Sequence, residues 1–132
     1  MTKVHIFFCI QTYSVYLQFL YQLQSRRPMR REAFKMYLKP GCEAEYIRRH
    51  NELWPELKQL LKDAGVSDYS IFFDRQTNLL FGYQTVSGDV SSQDLGDNPI
   101  VQRWWACMAD IMDTNPDLSP VSVPLLEVFH LA

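Results

Sequence analysis

Between Arg31 and Lys39 apolar and polar side chains alternate, with Phe34, Met36 and Leu38 on one side and Ala33, Lys35 and Tyr37 on the other. A period of two predicts a half-buried strand. After the turn signal Pro40-Gly41 the period lengthens. Tyr46, His50, Leu53, Leu57, Leu60, Leu61 and Ala64 fall at helical spacing across residues 42–64, and Gly65 supplies a stop. The ring of Pro55 collides with the carbonyl four residues back, so this stretch predicts one helix ending near His50-Asn51 and a second starting at Pro55. Two β-rich runs, 67–74 and 79–86, flank the polar tetrapeptide 75–78 and predict a hairpin. Residues 87–98 hold two glycines and six Ser/Asp residues, the composition of a loop with at most one helical turn. Helical spacing returns over 99–112 and is stopped by Asn115-Pro116. A proline-rich stretch over 114–124 then leads into the apolar run 125–131, which predicts a last, largely buried strand.

The order is β-α-β-β-α-β. It predicts an α+β protein of ferredoxin-like βαββαβ arrangement, a four-stranded antiparallel sheet with helices on one face. The other face is then left over. Phe72 lies opposite Tyr69, Ile71 and Phe73 in the alternation, so aromatic bulk stands on both sides of that strand. An uncovered apolar sheet face meets a partner subunit or lines a pocket, and a homodimer packed sheet against sheet accomplishes both.

With 132 residues the chain has room for one domain and an appended arm. Its charge, −2 overall, is unevenly placed: residues 1–31 carry Lys3, Arg26, Arg27, Arg30 and Arg31 and no acid, while the rest sets 8 basic residues against 15 acids. So acidic a body offers no footprint for nucleic acid. Residues 1–29 form a leader rich in Phe, Tyr, Ile and Leu but interrupted by Gln11, Thr12, Ser14 and Gln18, a weak signal for a membrane span or a secretory signal. A marginal anchor, an amphipathic docking segment and upstream sequence preceding a start at Met29 all fit it. The abrupt change of composition at Arg26-Arg27-Pro28-Met29 favours the last, with residues 30–132 as the domain. Cys9, Cys42 and Cys107 are too few and too scattered for a disulfide framework or a zinc site, and read as reduced thiols.

Of the three histidines, His5 lies in the leader, His130 in the terminal run, and His50 at a helix end among aromatics. A single histidine is more often structural than catalytic. The spacing changes the balance, because Tyr46 and His50 are four positions apart and project from one helix face into a shared volume. A helix C-terminus favours a protonated imidazole, whereas Arg48 and Arg49 oppose it, so the sequence leaves the direction of any shift open. Trp104 and Trp105 are adjacent and point about 100° apart on a helix. They cannot both fill one core position: one fills the core while the other meets a subunit, or they form a platform for the C–H face of a sugar, with tyrosine hydroxyls such as that of Tyr69 hydrogen-bonding the ring substituents. The Gly-rich phosphate loops, the serine-hydrolase elbow and the zinc-protease signature do not occur. Glu43, Glu45, Glu52 and Glu56 alternate with Arg48, Arg49, Lys58 and Lys62 as a solvated face does.

The segments EYIRRHNELWPEL (45–57), DYSIFFDRQTNLLF (68–81), QRWWACMADIM (102–112) and NPDLSPVSVPLLEVFHL (115–131) together resemble the L-rhamnose mutarotase family across residues 31–132. That resemblance implies a cytoplasmic homodimer, a dimeric α+β barrel, which interconverts the α and β anomers of L-rhamnopyranose with no cofactor and no metal. It implies that His50 is the proton donor and that Tyr46, Tyr69, Trp104 and Trp105 bind the sugar. The chain departs from the family over 87–98, where a helical stretch with its own tryptophan is usual. Anomer exchange needs a proton on the ring oxygen, removal of one from the anomeric hydroxyl, rotation about C1–C2 and reclosure, work that acid/base side chains perform. In this reading His50 is the acid at the ring oxygen, and Tyr46 or Tyr69 orients hydroxyls and relays the second proton. Two alternatives share the fold: a cofactor-independent monooxygenase and a non-catalytic sugar-binding module.

Overall fold

The computed structural model describes residues 11–20 and 29–132. Most of the leader therefore lies outside the described residues, including the composition break at 26–28. Residues 11–20 are helical and exposed, and among the described residues no helix is long and apolar enough to cross a membrane. The chain then runs β1 (Arg30–Tyr37), α1 (Glu43–Asn51), α2 (Pro55–Asp63), β2 (Val66–Asp74), β3 (Leu79–Val86), a 3₁₀ turn (Ser92–Asp94), α3 (Pro99–Met108) and β4 (Val123–Leu125). The four strands form one antiparallel sheet in the order β2-β3-β1-β4. Element order and strand order are those of the ferredoxin-like arrangement.

Alternation decides which side of the sheet is covered. Phe34 pairs with Gly82 and Met36 with Leu80 across β1 and β3, so these side chains share a face. On that face Phe34, Met36, Leu38 and Leu80 form one buried cluster with Tyr46 of α1, Met108 of α3, and Ile111 and Met112 beyond it. Gly82 lets the Phe34 ring lie against the strand backbone, within 2.5 Å of where a Cβ would stand. The opposite face carries Phe72, 65% exposed, on the edge strand β2, and half-exposed Val123 and Leu125 on the other edge strand, β4.

One position breaks the apolar rule of the covered face. Gln84 is fully buried at 0% exposure, and neither its amide nitrogen nor its amide oxygen meets a hydrogen-bonding group of the protein. A buried polar group left without a partner costs about 1–3 kcal/mol.

The helices end where local chemistry ends them. α1 closes at Asn51, and α2 opens with Pro55 in its first turn, where the missing N–H is no loss. Gly65 follows α2 at φ +90, and its carbonyl accepts from the Ser87 N–H at 3.0 Å, which joins the end of α2 to the end of β3. The hairpin 75–78 is held by Asp74, whose carboxylate accepts from the Gln76 N–H and the Thr77 hydroxyl, and Asn78 takes the left-handed conformation that closes it.

Two expectations need correction, and one strand carries an irregularity. The helix expected over 99–112, α3, stops at Met108, short of Met112, because the backbone at Ile111–Asp113 is drawn onto the end of β1: the Lys39 N–H donates to the Ile111 carbonyl and the Asp113 N–H to the Tyr37 carbonyl. The last strand is Val123–Leu125, not 125–131. Leu126, Val128, Phe129 and Leu131 run past the sheet almost fully exposed, with Glu127 paired to Arg31 at 2.8 Å. Their apolarity is a sign of burial, but among the described residues none covers them. Finally, β2 is not regular: the register slips between Ser67 and Ser70, with Asp68 at φ 47, so Asp68 and Tyr69 together oppose Gln84. This bulge turns both Val66 and Tyr69 toward the helices, which strict alternation forbids for residues three apart.

A Cβ on Gly65 would stand 2.6 Å from the Ser87 Oγ and 3.0 Å from the Gly88 N, in a backbone conformation that L-residues avoid. Gly65→Ala is expected to destabilise the fold by about 1–2 kcal/mol, read as a lower thermal midpoint. An unchanged midpoint would contradict this account of the α2–β3 junction.

Candidate active site

Between the covered sheet face, α1, α3 and the 3₁₀ turn lies a cavity of about 760 Å³, within the range of small-molecule sites. All five residues singled out in the sequence line it: Tyr46 and His50 from α1, Tyr69 from the β2 bulge, and Trp104 and Trp105 from α3.

The geometry around His50 is specific. Its ring stacks on Tyr46 with centroids 4.1 Å apart, the consequence of their four-residue spacing on α1. The edge of Trp104 meets it at 5.4 Å and 87°, and Trp54 meets Trp104 in turn at 5.2 Å and 84°. His50 Nδ1 lies 3.0 Å from the carbonyl oxygen of Tyr46. A carbonyl can only accept, so Nδ1 carries the proton and the neutral ring keeps its lone pair on Nε2.

Burial lowers the His50 pKa from its ordinary value, outweighing the backbone bond to Tyr46, which raises it. The helix terminus favours the charged form, but desolvation prevails. Arg48 and Arg49, the two cations nearest in sequence, are spoken for. Arg48 pairs with Glu45 and Glu52, and Arg49 with Glu45 and both oxygens of Asp110, while also donating to the Cys107 carbonyl. Their hydrogen bonds hold the Glu45 carboxyl down to about 2. Arg49 thus ties α1 to the end of α3, which keeps His50 and Trp104 in register. The acidic residues of α1 act as the charged face that their spacing suggests.

Both phenols keep their protons. Desolvation raises the Tyr46 pKa far above that of free tyrosine, and it pushes Tyr69 up to about 12 against an opposing hydrogen bond from Ser92. They serve as hydrogen-bond donors at neutral pH. Trp104 and Trp105 both reach the cavity despite their 100° divergence: Trp104 packs against the core cluster, and Trp105 lies over Gly96, where a Cβ would stand 2.8 Å from its ring.

The cavity has a polar side that residue-by-residue reading missed. Ser92 and Gln93 come from the 87–98 segment, and Asn115, Ser119 and Ser122 from the loop after α3. The Ser122 hydroxyl donates to Gln93 at 2.8 Å, and the Asn115 amide to the Ser119 hydroxyl at 3.0 Å, which joins the two loops into one rim. The signal was present in the NPDLSP turn, whose polar residues are too many for a simple connection. Among the described residues no group of three or more His, Cys, Asp or Glu side chains is placed to hold a metal ion.

A half-buried imidazole with a fixed tautomer, two protonated phenols, two indole faces and a hydroxyl-rich rim define a small α+β protein. Its cleft is fitted to a flat-faced, polyhydroxylated molecule and to proton transfer. Comparison with known proteins narrows this. The L-rhamnose mutarotase family model matches residues 31–131. An L-rhamnose mutarotase of Bacteroides thetaiotaomicron is 65% identical over 103 residues, covering 78% of this chain and 99% of the relative. One from Phocaeicola vulgatus is 63% identical with the same coverage. The crystal structure of an L-rhamnose mutarotase from Formosa agariphila matches with a TM-score of 0.73 at 59% identity, over 78% of this chain and 99% of that one. The chain belongs to the L-rhamnose mutarotase family.

The tautomer is directly observable. Nitrogen-15 NMR of the histidine side chains is expected to show His50 neutral at pH 7 with its proton on Nδ1, and to titrate it below the ordinary value of 6.5. A proton on Nε2, or a pKa above 6.5, would contradict the geometry.

Proposed function

We propose that this protein is an L-rhamnose mutarotase in which His50 moves the proton that opens and recloses the pyranose ring. The observation that carries the reading is His50, its Nδ1 engaged by the Tyr46 carbonyl, lining a cavity walled by Tyr46, Tyr69 and two indoles. Family membership at 65% identity supplies the substrate.

The chemistry follows from the protonation states. A neutral imidazole is a base at rest, so Nε2 first takes the proton of the anomeric hydroxyl. The imidazolium so formed is the acid at the ring oxygen, which lies on the same carbon. As the C1–O5 bond breaks, the electron pair passes to O5 and is captured by that proton, leaving an open-chain aldehyde and a neutral imidazole. Rotation about C1–C2 and the reverse sequence give the other anomer, with no net gain or loss of protons. The tyrosines, protonated at neutral pH, orient hydroxyls as donors and do not act as the base. Indole faces hold the ring, and Gln93, Asn115 and Ser119 face its substituents.

The second part of the proposal is a homodimer. Phe72 at 65% exposure, half-exposed Val123 and Leu125, and the exposed residues Leu126, Val128, Phe129 and Leu131 give the open sheet face and its edge an apolar surface. A second copy packed face to face would cover it and close the two sheets into an α+β barrel. An exposed free thiol at Cys107 suits a reducing compartment such as the cytoplasm.

Saturation-transfer NMR between the rhamnose anomers tests the activity. The protein at catalytic concentration is expected to accelerate exchange, and His50→Ala to lose about 10²–10⁴-fold of that acceleration; exchange that His50→Ala leaves unchanged would remove the assigned role. A titration showing sugar binding by a protein that does not accelerate exchange would indicate a binding module instead. In solution the protein is expected to be a dimer, and Phe72→Asp a monomer. Light scattering that finds the parent monomeric would overturn the subunit arrangement.

A further inference from the structure

Trp105 stands over a glycine. The far end of its six-membered ring covers Gly96: a Cβ on that residue would lie 2.8 Å from Cη2, 3.5 Å from Cζ3 and 3.7 Å from Cζ2. Carbon atoms rest about 3.5–4.0 Å apart, so only the Cη2 corner lacks room. The need for glycine is not conformational. Gly41 and Gly65 take positive φ, whereas Gly96 does not, so its backbone makes no demand for a left-handed residue. What excludes a side chain there is the ring. The loop under the ring is held by α3 itself: the Gln102 side-chain amide donates to the Gly96 carbonyl at 2.9 Å, the Asn98 side chain accepts from the Ile100 N–H at 2.9 Å, and the Asn98 N–H donates to the Leu95 carbonyl at 3.0 Å. Gln102 and Trp105 are three residues apart on α3 and share one side of it. One turn of helix thereby fixes both the attachment of the indole and the surface on which it rests.

We propose that Gly96 is a positioning residue for Trp105: its bare Cα, strapped to α3 by Gln102, is the seat that sets how the indole stands as a wall of the sugar cavity. A larger residue at 96 displaces the ring and not the loop, because the atom in its way is the tip of a side chain that turns about two torsions, while the loop carbonyl is bonded. That displacement reshapes the cavity on the Trp105 side. It spares the proton-transfer side, since the three atoms nearest a Cβ at 96 all belong to Trp105, and His50 is held by Tyr46 and Trp104. The effect therefore falls on sugar binding, as a larger KM with kcat little changed. The inference rests on the reading of Trp105 as a sugar-binding residue of a mutarotase.

The test is Gly96→Ala in the full chain, with anomer exchange followed across L-rhamnose concentrations. KM is expected to rise about 3–10-fold and kcat to stay within about twofold of the parent. The thermal midpoint is expected to fall by less than about 5 °C, since a side-chain tip moves and the backbone does not. Gln102→Met, which keeps the length of the side chain and removes the donor to the Gly96 carbonyl, is expected to raise KM in the same direction. In proton–nitrogen NMR of the indole N–H groups, the Trp105 signal is identified by its loss in Trp105→Phe. It is expected to move in Gly96→Ala, and those of Trp54 and Trp104 to move less. Trp105→Phe also withdraws the Cη2 corner, so in that background Gly96→Ala is expected to add nothing to KM. An unmoved Trp105 signal, a parent-like KM, or an undiminished effect of Gly96→Ala in the Trp105→Phe background would overturn the proposal. So would a Gly96→Ala that fails to fold, because the loop and not the ring would then have given way. A parent that does not accelerate anomer exchange, with its Trp105 signal still moved by Gly96→Ala, would overturn the mutarotase reading and leave the seat standing.

Discussion

The hydrogen bond from His50 Nδ1 to the Tyr46 carbonyl is the constraint on which the site depends. It spans one helical turn, so α1 itself sets the ring's tautomer and no third side chain is needed to orient it. In many acid/base sites a carboxylate does that work and raises the basicity of the imidazole. Here a neutral carbonyl does it, and burial pulls the pKa in the other direction. The result is a base that is unprotonated at neutral pH yet can be recharged by the substrate's own hydroxyl. That suits an isomerisation in which the proton removed at one oxygen is returned to its neighbour.

Around this bond the fold arranges a division of labour. The sheet and its core cluster hold Tyr46 from below, Arg49 pins α1 to the end of α3, and Trp104 closes the edge of the imidazole. The bulge in β2 costs one ladder position and turns Val66 to the same side as Tyr69, and the 3₁₀ turn brings Ser92 to the cavity that Tyr69 lines. Apolar groups face the ring from one side and hydroxyl and amide groups from the other. A pyranose, with C–H faces and hydroxylated edges, is matched by such a cavity.

Much of this was legible in the sequence, and the exceptions are instructive. Alternation over Phe34, Met36 and Leu38 located β1 and its buried side, and Pro55 located the break between α1 and α2, because both signals are local. Tyr46 and His50 were legible as a pair from their spacing alone. The face of Tyr69 was legible too, since alternation sets it with Ile71 and Phe73 opposite Phe72; what no single segment records is the bulge, which arises from the pairing of β2 with β3 and turns Val66 to the same side. The end of α3 was misplaced for a related reason, since Ile111 and Met112 keep helical spacing while their backbone is captured by β1. The tail after Leu125 shows the opposite limit. Its apolar run was read as internal burial, but hydrophobicity states that a surface is to be covered without stating by which chain. Gln84 gave no signal at all, because one polar residue in a β-rich run is normally the solvent side of a strand.

The central claim is that a single imidazole, resting neutral, carries the proton in both directions. The most direct measurement pairs the pH profile of kcat/KM for anomer exchange with an NMR titration of His50 in the free protein. The account predicts a rate that is level near pH 7 and falls on the acid side, with an apparent pKa equal to that of His50 and below 6.5, because protonation removes the resting base. A rate that rises as the pH falls through the His50 pKa, or that ignores it, would contradict the account.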